Sequence, residues 1–253
     1  MSPLILRVPL ILCSALILAA CATPPPEAPV FADVTPFSSN GAGAKLPLNW
    51  QSLVISRAKT ATQYETVLDP VSKRVVLRAQ SRRACTGLKQ RLSVDPATRP
   101  LIAWEWRVVQ LIDGADNTKR DTEDSPVRLL LFFDGDRAGL PQREQTALDL
   151  AQIASGIEPP YATLMYIWEN RQPVGTVIDS SYTSQVKMIV AGSGSSMLGG
   201  WRRFERNYVD DYRLAFGRPP GRLIGVGILT DSDNTGAAVE AFYGDIRLLS
   251  ALP

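Results

Sequence analysis

Apolar residues along this chain recur mostly at a spacing of two. The runs YETVL (64–68), RVVLRA (74–79), LIAWEWRVV (101–109), VRLLLFF (127–133), TLMYIW (163–168), QVKMIV (185–190), RLIGVGILT (222–230) and AFYGDIRLL (241–249) alternate or stay apolar over strand lengths. Turn formers separate them. This pattern predicts a mainly β domain, an antiparallel jelly-roll-like β-sandwich. In LIAWEWRVV the alternation puts Ile102, Trp104, Trp106 and Val108 on one face and Ala103, Glu105, Arg107 and Val109 on the other. Large aromatics mostly fill cores, so the tryptophan face is assigned inward, and a sugar-stacking platform is the alternative.

A second spacing appears once with clarity. In WRRFERNYVDDYRLAFGRPPG (201–221), Phe204, Tyr208, Tyr212 and Phe216 recur every four residues. One accessory helix is expected over this stretch, capped by Gly217 and stopped by Pro219-Pro220. It would leave Arg203, Glu205, Arg206, Asp210 and Asp211 outward or lateral. A weaker second helix is expected over QREQTALDLAQIASG (142–156), before the break EPP. The glycine-rich VAGSGSSMLGGW (190–201) lacks the Lys-Ser/Thr ending of a phosphate-cradling loop and reads as a flexible connection.

The N-terminus has a different character. Residues 1–20 carry one basic residue, Arg7, before the apolar run VPLILCSALILAA, too short to span a bilayer as a mature helix. Leu18-Ala19-Ala20-Cys21 resembles a bacterial lipobox, which implies cleavage before Cys21 and lipidation of its sulfur and new amino group. Multiple acyl chains anchor stably where one is marginal, and Ala22 after the cysteine implies delivery to the outer membrane, facing the periplasm. Residues 21–48, opening TPPPEAP after Ala22, read as a lipidated tether, because large apolar residues are few. The globular domain is expected at 49–250.

Charge and composition exclude several chemistries. The chain has 27 Lys+Arg, one of them Arg7, against 25 Asp+Glu, and this balance argues against a nucleic-acid partner. It has no histidine, so Ser-His-Asp and Cys-His nucleophile systems and histidine-ligated metals are excluded. Of its three cysteines, Cys13 falls in the cleaved segment and Cys21 carries lipid, leaving Cys85 as a lone buried thiol.

What remains is carboxylate chemistry, oxygen-ligated calcium or magnesium, or binding without turnover. Arg128 shares a strand face with Leu130 and Phe132 and needs a carboxylate from Asp124, Glu123 or Glu105. Glu105, Arg107, Asp124 and Arg128 are therefore the candidate ligand-binding or acid/base residues. Asp231, Asp233 and Asn234 in DSDNTG resemble the first half of a calcium loop. The second half fails, because Phe242 stands where an EF-hand needs glutamate. A β-turn with Gly236 at positive φ, a structural calcium and a catalytic loop all remain open for this stretch.

WEWRV (104–108), EDSPVR (123–128), YIWEN (166–170), ERNYVDDYRLAFGRPP (205–220), GVGILTDSDNTG (225–236) and YGDIRL (243–248) together resemble the bacterial DUF3047 family, from about Trp50 to Leu248. That family implies no activity and no catalytic residues. The leading expectation is an outer-membrane lipoprotein, held through lipid on Cys21, whose sandwich binds an envelope glycan without turning it over. The rivals are a carboxylate-dependent glycan hydrolase or lyase using Glu105, Asp124 or Asp231, and a structural lipoprotein docking an envelope protein.

Overall fold

A computed structural model of the protein describes residues 29–251; the signal segment and Cys21 lie outside them. Thirteen strands and two helices follow in order. They are β1 (Gln51–Val54), β2 (Gln63–Leu68), β3 (Val75–Arg82), β4 (Cys85–Val94), β5 (Leu101–Val108), β6 (Ser125–Phe133), α1 (Gln142–Ser155), β7 (Ala162–Glu169), β8 (Val177–Asp179), β9 (Val186–Ser193), β10 (Arg202–Asn207), α2 (Tyr208–Phe216), β11 (Leu223–Asp231), β12 (Ala238–Tyr243) and β13 (Arg247–Leu249). A seven-stranded sheet runs β1-β4-β11-β6-β7-β9-β8, and a six-stranded sheet runs β10-β5-β12-β3-β2 with β13 on β5. Every pairing between these strands is antiparallel except β7 with β9. The protein is a mainly β sandwich, as the alternation predicts.

The sheets meet through one apolar layer. Trp104, Trp106 and Val108 of β5 pack with Val127, Leu129 and Leu131 of β6, Leu164, Tyr166 and Trp168 of β7, and Val226 and Ile228 of β11. Trp104 stacks on Tyr166 at 4.7 Å between ring centroids and on Phe204 at 5.2 Å. The tryptophan face of β5 is thus core, as expected. Gly192 in β9 is needed for contact: a Cβ there would lie 2.4 Å from the Trp168 ring. That glycine belongs to a strand, so the 190–201 segment is only partly a connection.

Three expectations change. The single long helix is two elements, because the Asn207 side chain accepts from the amides of Val209 and Asp210 and caps α2 there. Upstream, β10 pairs with β5 as an edge strand, and Phe204 reaches the core from it. The helix stops at Gly217 in the left-handed region, as predicted, and α1 likewise ends at Gly156.

The run at 241–249 breaks into β12 and β13, which pair with successive stretches of one side of β5. Residues 31–48 are not a free tether. Phe31 bridges to Leu92, Gln90 exchanges hydrogen bonds with Thr35, and Phe37 stacks on Trp50 at 4.8 Å. Val34 and Phe37 are buried, while Leu46 and Leu48 stay exposed; sealing a phenylalanine such as Phe37, 1% exposed, contributes roughly 1.5–3 kcal/mol. Among the described residues no helix is long and apolar enough to cross a membrane.

Candidate functional site

Alternation along each strand leaves two outer faces, and on each an arginine largely shielded from solvent pairs with a buried carboxylate. On the seven-stranded sheet, Arg128 sits on β6 opposite the core residues of the same strand. Its Nε and Nη2 donate to Oδ1 and Oδ2 of Asp231 on β11, at 3.0 and 3.2 Å, a bidentate pair. Nη2 also donates to the Glu123 carbonyl at 2.9 Å, and Nη1 lies 3.2 Å from the Met188 sulfur. The Arg128 side chain is 2% exposed and that of Asp231 6%. The expected partners were Asp124, Glu123 or Glu105; the observed one stands 103 residues away in sequence. Burial pushes the Asp231 carboxyl up, against the opposing pull of Arg128. Burial also pushes up the Glu123 carboxyl and, far above its ordinary value, the Cys85 thiol, which stays protonated.

Asp124 serves the DSDNTG turn instead. Its carboxylate accepts from the amides of Asn234 and Thr235, at 3.3 and 2.7 Å, and from the Thr235 hydroxyl at 2.7 Å. Asn234 donates through Nδ2 to the Arg120 carbonyl, and Gly236 has φ +73°. The turn carries the chain from β11 in one sheet to β12 in the other, so it is an arch across the sandwich and not a hairpin. Asp233 pairs with Lys59. Asp231, Asp233 and Cys85 bring ligand atoms within 4.8 Å of one another. Both carboxylates, however, already answer to a cation, and Asn234 turns away to a carbonyl.

The outer face of the six-stranded sheet is built differently. Arg107 on β5 stacks over Phe242 of β12, 3.9 Å from the ring centroid, and lies 5.7 Å from the Trp201 ring. Its Nη2 is 3.1 Å from Oδ1 of Asp69, a charge contact without hydrogen-bond alignment, since neither Oδ1 nor the Arg107 Nε has a hydrogen-bond partner. Oδ2 of Asp69 accepts from the Ser72 amide at 2.7 Å and the Trp201 indole at 3.1 Å. Burial pushes the Asp69 carboxyl up, but Ser72, the indole and the Arg107 charge outweigh it and hold it below the usual range.

Beside this stack lies a shallow groove of about 150 Å³, lined by Arg74, Ala103, Trp104, Glu105, Arg203, Asp245 and Arg247. Glu105 accepts from Arg74 at 2.7 Å. Gly244 lets the parts meet: a Cβ there would lie 2.9 Å from Glu105 and 3.5 Å from the Trp201 ring. A larger hollow of about 370 Å³ lies beside α1, among Arg137, Gln145, Asp149 and Glu158. It is open to solvent and holds surface ion pairs from Arg137 to Asp149 and Glu158, so the smaller groove, edged by fixed charges and adjoining the Trp201 stack, is the better candidate.

Residues 48–247 match the family model described as "Protein of unknown function (DUF3047)". The chain belongs to the DUF3047 family. No curated protein matches its sequence. Among solved structures, this DUF3047 chain is similar to an arabinose-bound GH51 α-L-arabinofuranosidase, at TM-score 0.41 and 9% identity, over 88% of this chain and 27% of that one. It is similar to the CBM22 tandem domain of Xyn10C from Paenibacillus barcinonensis, at 0.35 and 10%, over 92% and 49%. The carbohydrate recognition domain of Emp47p gives 0.36 and 14%, over 87% and 95%. Likeness this distant bears on neither ligand nor activity.

Within this DUF3047 domain the predicted site residues part into two groups. Glu105 and Arg107 lie on the outer face of the six-stranded sheet; Asp124, Arg128 and Asp231 lie with the seven-stranded sheet, across the sandwich. Sequence reasoning did not find Asp69, Arg74, Trp201, Arg203, Asp245 or Arg247. Trp201 alone had a signal, an aromatic at the exit of a glycine-rich segment; the others gather only through strand pairing.

Proposed function

We propose that this protein is an outer-membrane lipoprotein, anchored through Cys21 and facing the periplasm, whose sandwich binds an envelope glycan in the groove beside Trp201. One observation carries the reading: a half-buried indole, pinned by Asp69 and backed by Arg107, adjoins a groove edged with fixed polar groups. Sugars present apolar ring faces and polar rims, and such a site offers a partner to each. Binding is favoured over turnover because glycan hydrolysis needs two carboxyls across one groove. Here Glu105 is held by Arg74 and Asp245 by Ser38, while Asp124 and Asp231 belong to the other side of the sandwich.

The test is the melting temperature of the full chain with a panel of envelope glycan fragments. A fragment at a hundredfold excess over its dissociation constant stabilises by about 2.7 kcal/mol. That shift should vanish in Trp201→Ala; a shift that survives the substitution places binding elsewhere. Anchoring is tested separately by metabolic labelling with palmitate, which Cys21→Ser should abolish.

A further inference from the structure

The groove holds more free donors than free acceptors. Its two carboxylates are engaged: Glu105 Oε2 accepts from Arg74, while Asp245 accepts from the Ser38 amide at 3.0 Å and the Ser38 hydroxyl at 2.6 Å. Its arginines are not saturated in the same way. The Arg203 side chain has no hydrogen bond or ion pair among the described residues, and Arg74 keeps a side chain 43% exposed. Arg247 is 64% exposed, and its Nη2 stands 3.9 Å from Asp245, beyond hydrogen-bond reach.

Strand register places Arg203 and Arg247 on either side of one strand. Arg203 on β10 pairs with Glu105, and Arg247 on β13 pairs with Ala103. Paired residues share a face, neighbouring strands lie about 4.8 Å apart and each residue rises about 3.4 Å, so the two stems sit diagonally across β5, about 12 Å apart at their bases. Between them Ala103 leaves a floor without a projecting side chain. Glu205, the exposed acid of β10, pairs with Ala103 and so shares this face across β5 from Arg247, but it stands outside the groove's lining.

A hydroxyl can donate or accept, but a carboxylate or phosphate only accepts, and it matches the guanidinium fork with two parallel bonds. We infer that the groove takes an anionic sugar, one carrying a carboxylate or a phosphate, clasped by Arg203 and Arg247. This inference rests on the glycan-binding reading and narrows it.

The test measures binding of the purified full chain to galacturonic acid oligomers, to mannose-6-phosphate-bearing oligosaccharides, and to neutral galactose and mannose oligomers of equal length. At least one acidic series should bind about tenfold or more tightly than its neutral counterpart, since charge-assisted hydrogen bonds are the strong ones. Raising the salt should weaken that preference. The Arg203→Ala/Arg247→Ala double variant should lose the preference while melting at the wild-type temperature without ligand. Binding of only the uronate or only the phosphate series supports the inference and names the group. If acidic and neutral oligomers bind alike and the double variant changes nothing, the anionic specificity is wrong and glycan binding stands. If no oligomer binds the wild-type chain, both fall together.

Discussion

The two arginine–carboxylate pairs teach by their differences. Arg128–Asp231 is bidentate and sealed, with both side chains at 6% exposure or less, and its neighbours are a backbone carbonyl, a thioether and a protonated thiol. Arg107–Asp69 is a single charge contact, with Arg107 at 16% exposure and two aromatic rings around it. A sealed pair organises the fold and offers nothing to a ligand. A pair under a half-buried indole, next to unsatisfied guanidinium groups, fixes a surface that a ligand can reach.

The largest effect should follow Arg128→Ala, which leaves Asp231 buried without its cation. Such a loss costs about 3–5 kcal/mol, read from urea unfolding. Replacing both partners, as Arg128→Met/Asp231→Leu, should recover most of it, because an apolar pair of similar volume is often neutral or stabilising. A cost below about 1 kcal/mol for the single change would show that water reaches the pair. Arg107→Ala should cost less, about 1–3 kcal/mol, because Ser72 and Trp201 still bond Asp69. Arg107→Lys should not restore the stack, since an ammonium has no planar face.

Acid sharpens the contrast further. Asp69 is held below its ordinary value, so it contributes stability above the unfolded carboxylate range, and that contribution disappears as the pH falls through the folded value. Asp231 is shifted the other way, so its ionisation weakens the fold as the pH rises through its raised value, and acid relieves that cost. Asp69→Asn should therefore flatten the loss of stability below about pH 3.8, the ordinary aspartate value. Asp231→Asn should remove the opposing gain, which acid supplies between the raised Asp231 value and about pH 3.8, and so let the loss set in at higher pH. Urea midpoints between pH 6 and pH 3 decide it, and equal slopes for the two variants would erase the distinction.

The sandwich was legible because its strands keep strict alternation where one face is buried. Trp104 and Trp106 show it, and so does the pairing of Gly217 with a preceding aromatic stripe. β4 was not legible, although Leu88, Leu92 and Val94 alternate along it. Its core face includes Gln90, 1% exposed, and Lys89 and Arg91 intervene, so the run reads as polar. Phe204 deceived for another reason. Four residues before Tyr208 is one helical step and also two strand steps, and only the cap at Asn207 separates the cases. The site was the least legible part. Asp69 meets Trp201 across 132 residues, and Asp124 meets Thr235 across 111. Local pattern carries no signal of such distances.

The smallest expected effect belongs to calcium, and it tests whether the sealed side is closed. A cation at DSDNTG needs oxygens from Asp231 and Asp233, the first held by Arg128 and the second by Lys59. Binding would have to detach two positive groups and leave the Arg128 guanidinium buried without a partner, a cost of several kcal/mol. Millimolar calcium, against chelator, should therefore leave the melting temperature where it was. Lys59 is the weaker lock, since its side chain is 36% exposed. Lys59→Ala frees Asp233 without touching Asp231, and it should still give no calcium shift if the bidentate pair is the bar. A shift that appears in Lys59→Ala and is lost again with Asp233→Asn would mean that the arch is a metal loop held shut by one lysine, and the two outer faces would then differ less than their arginines suggest.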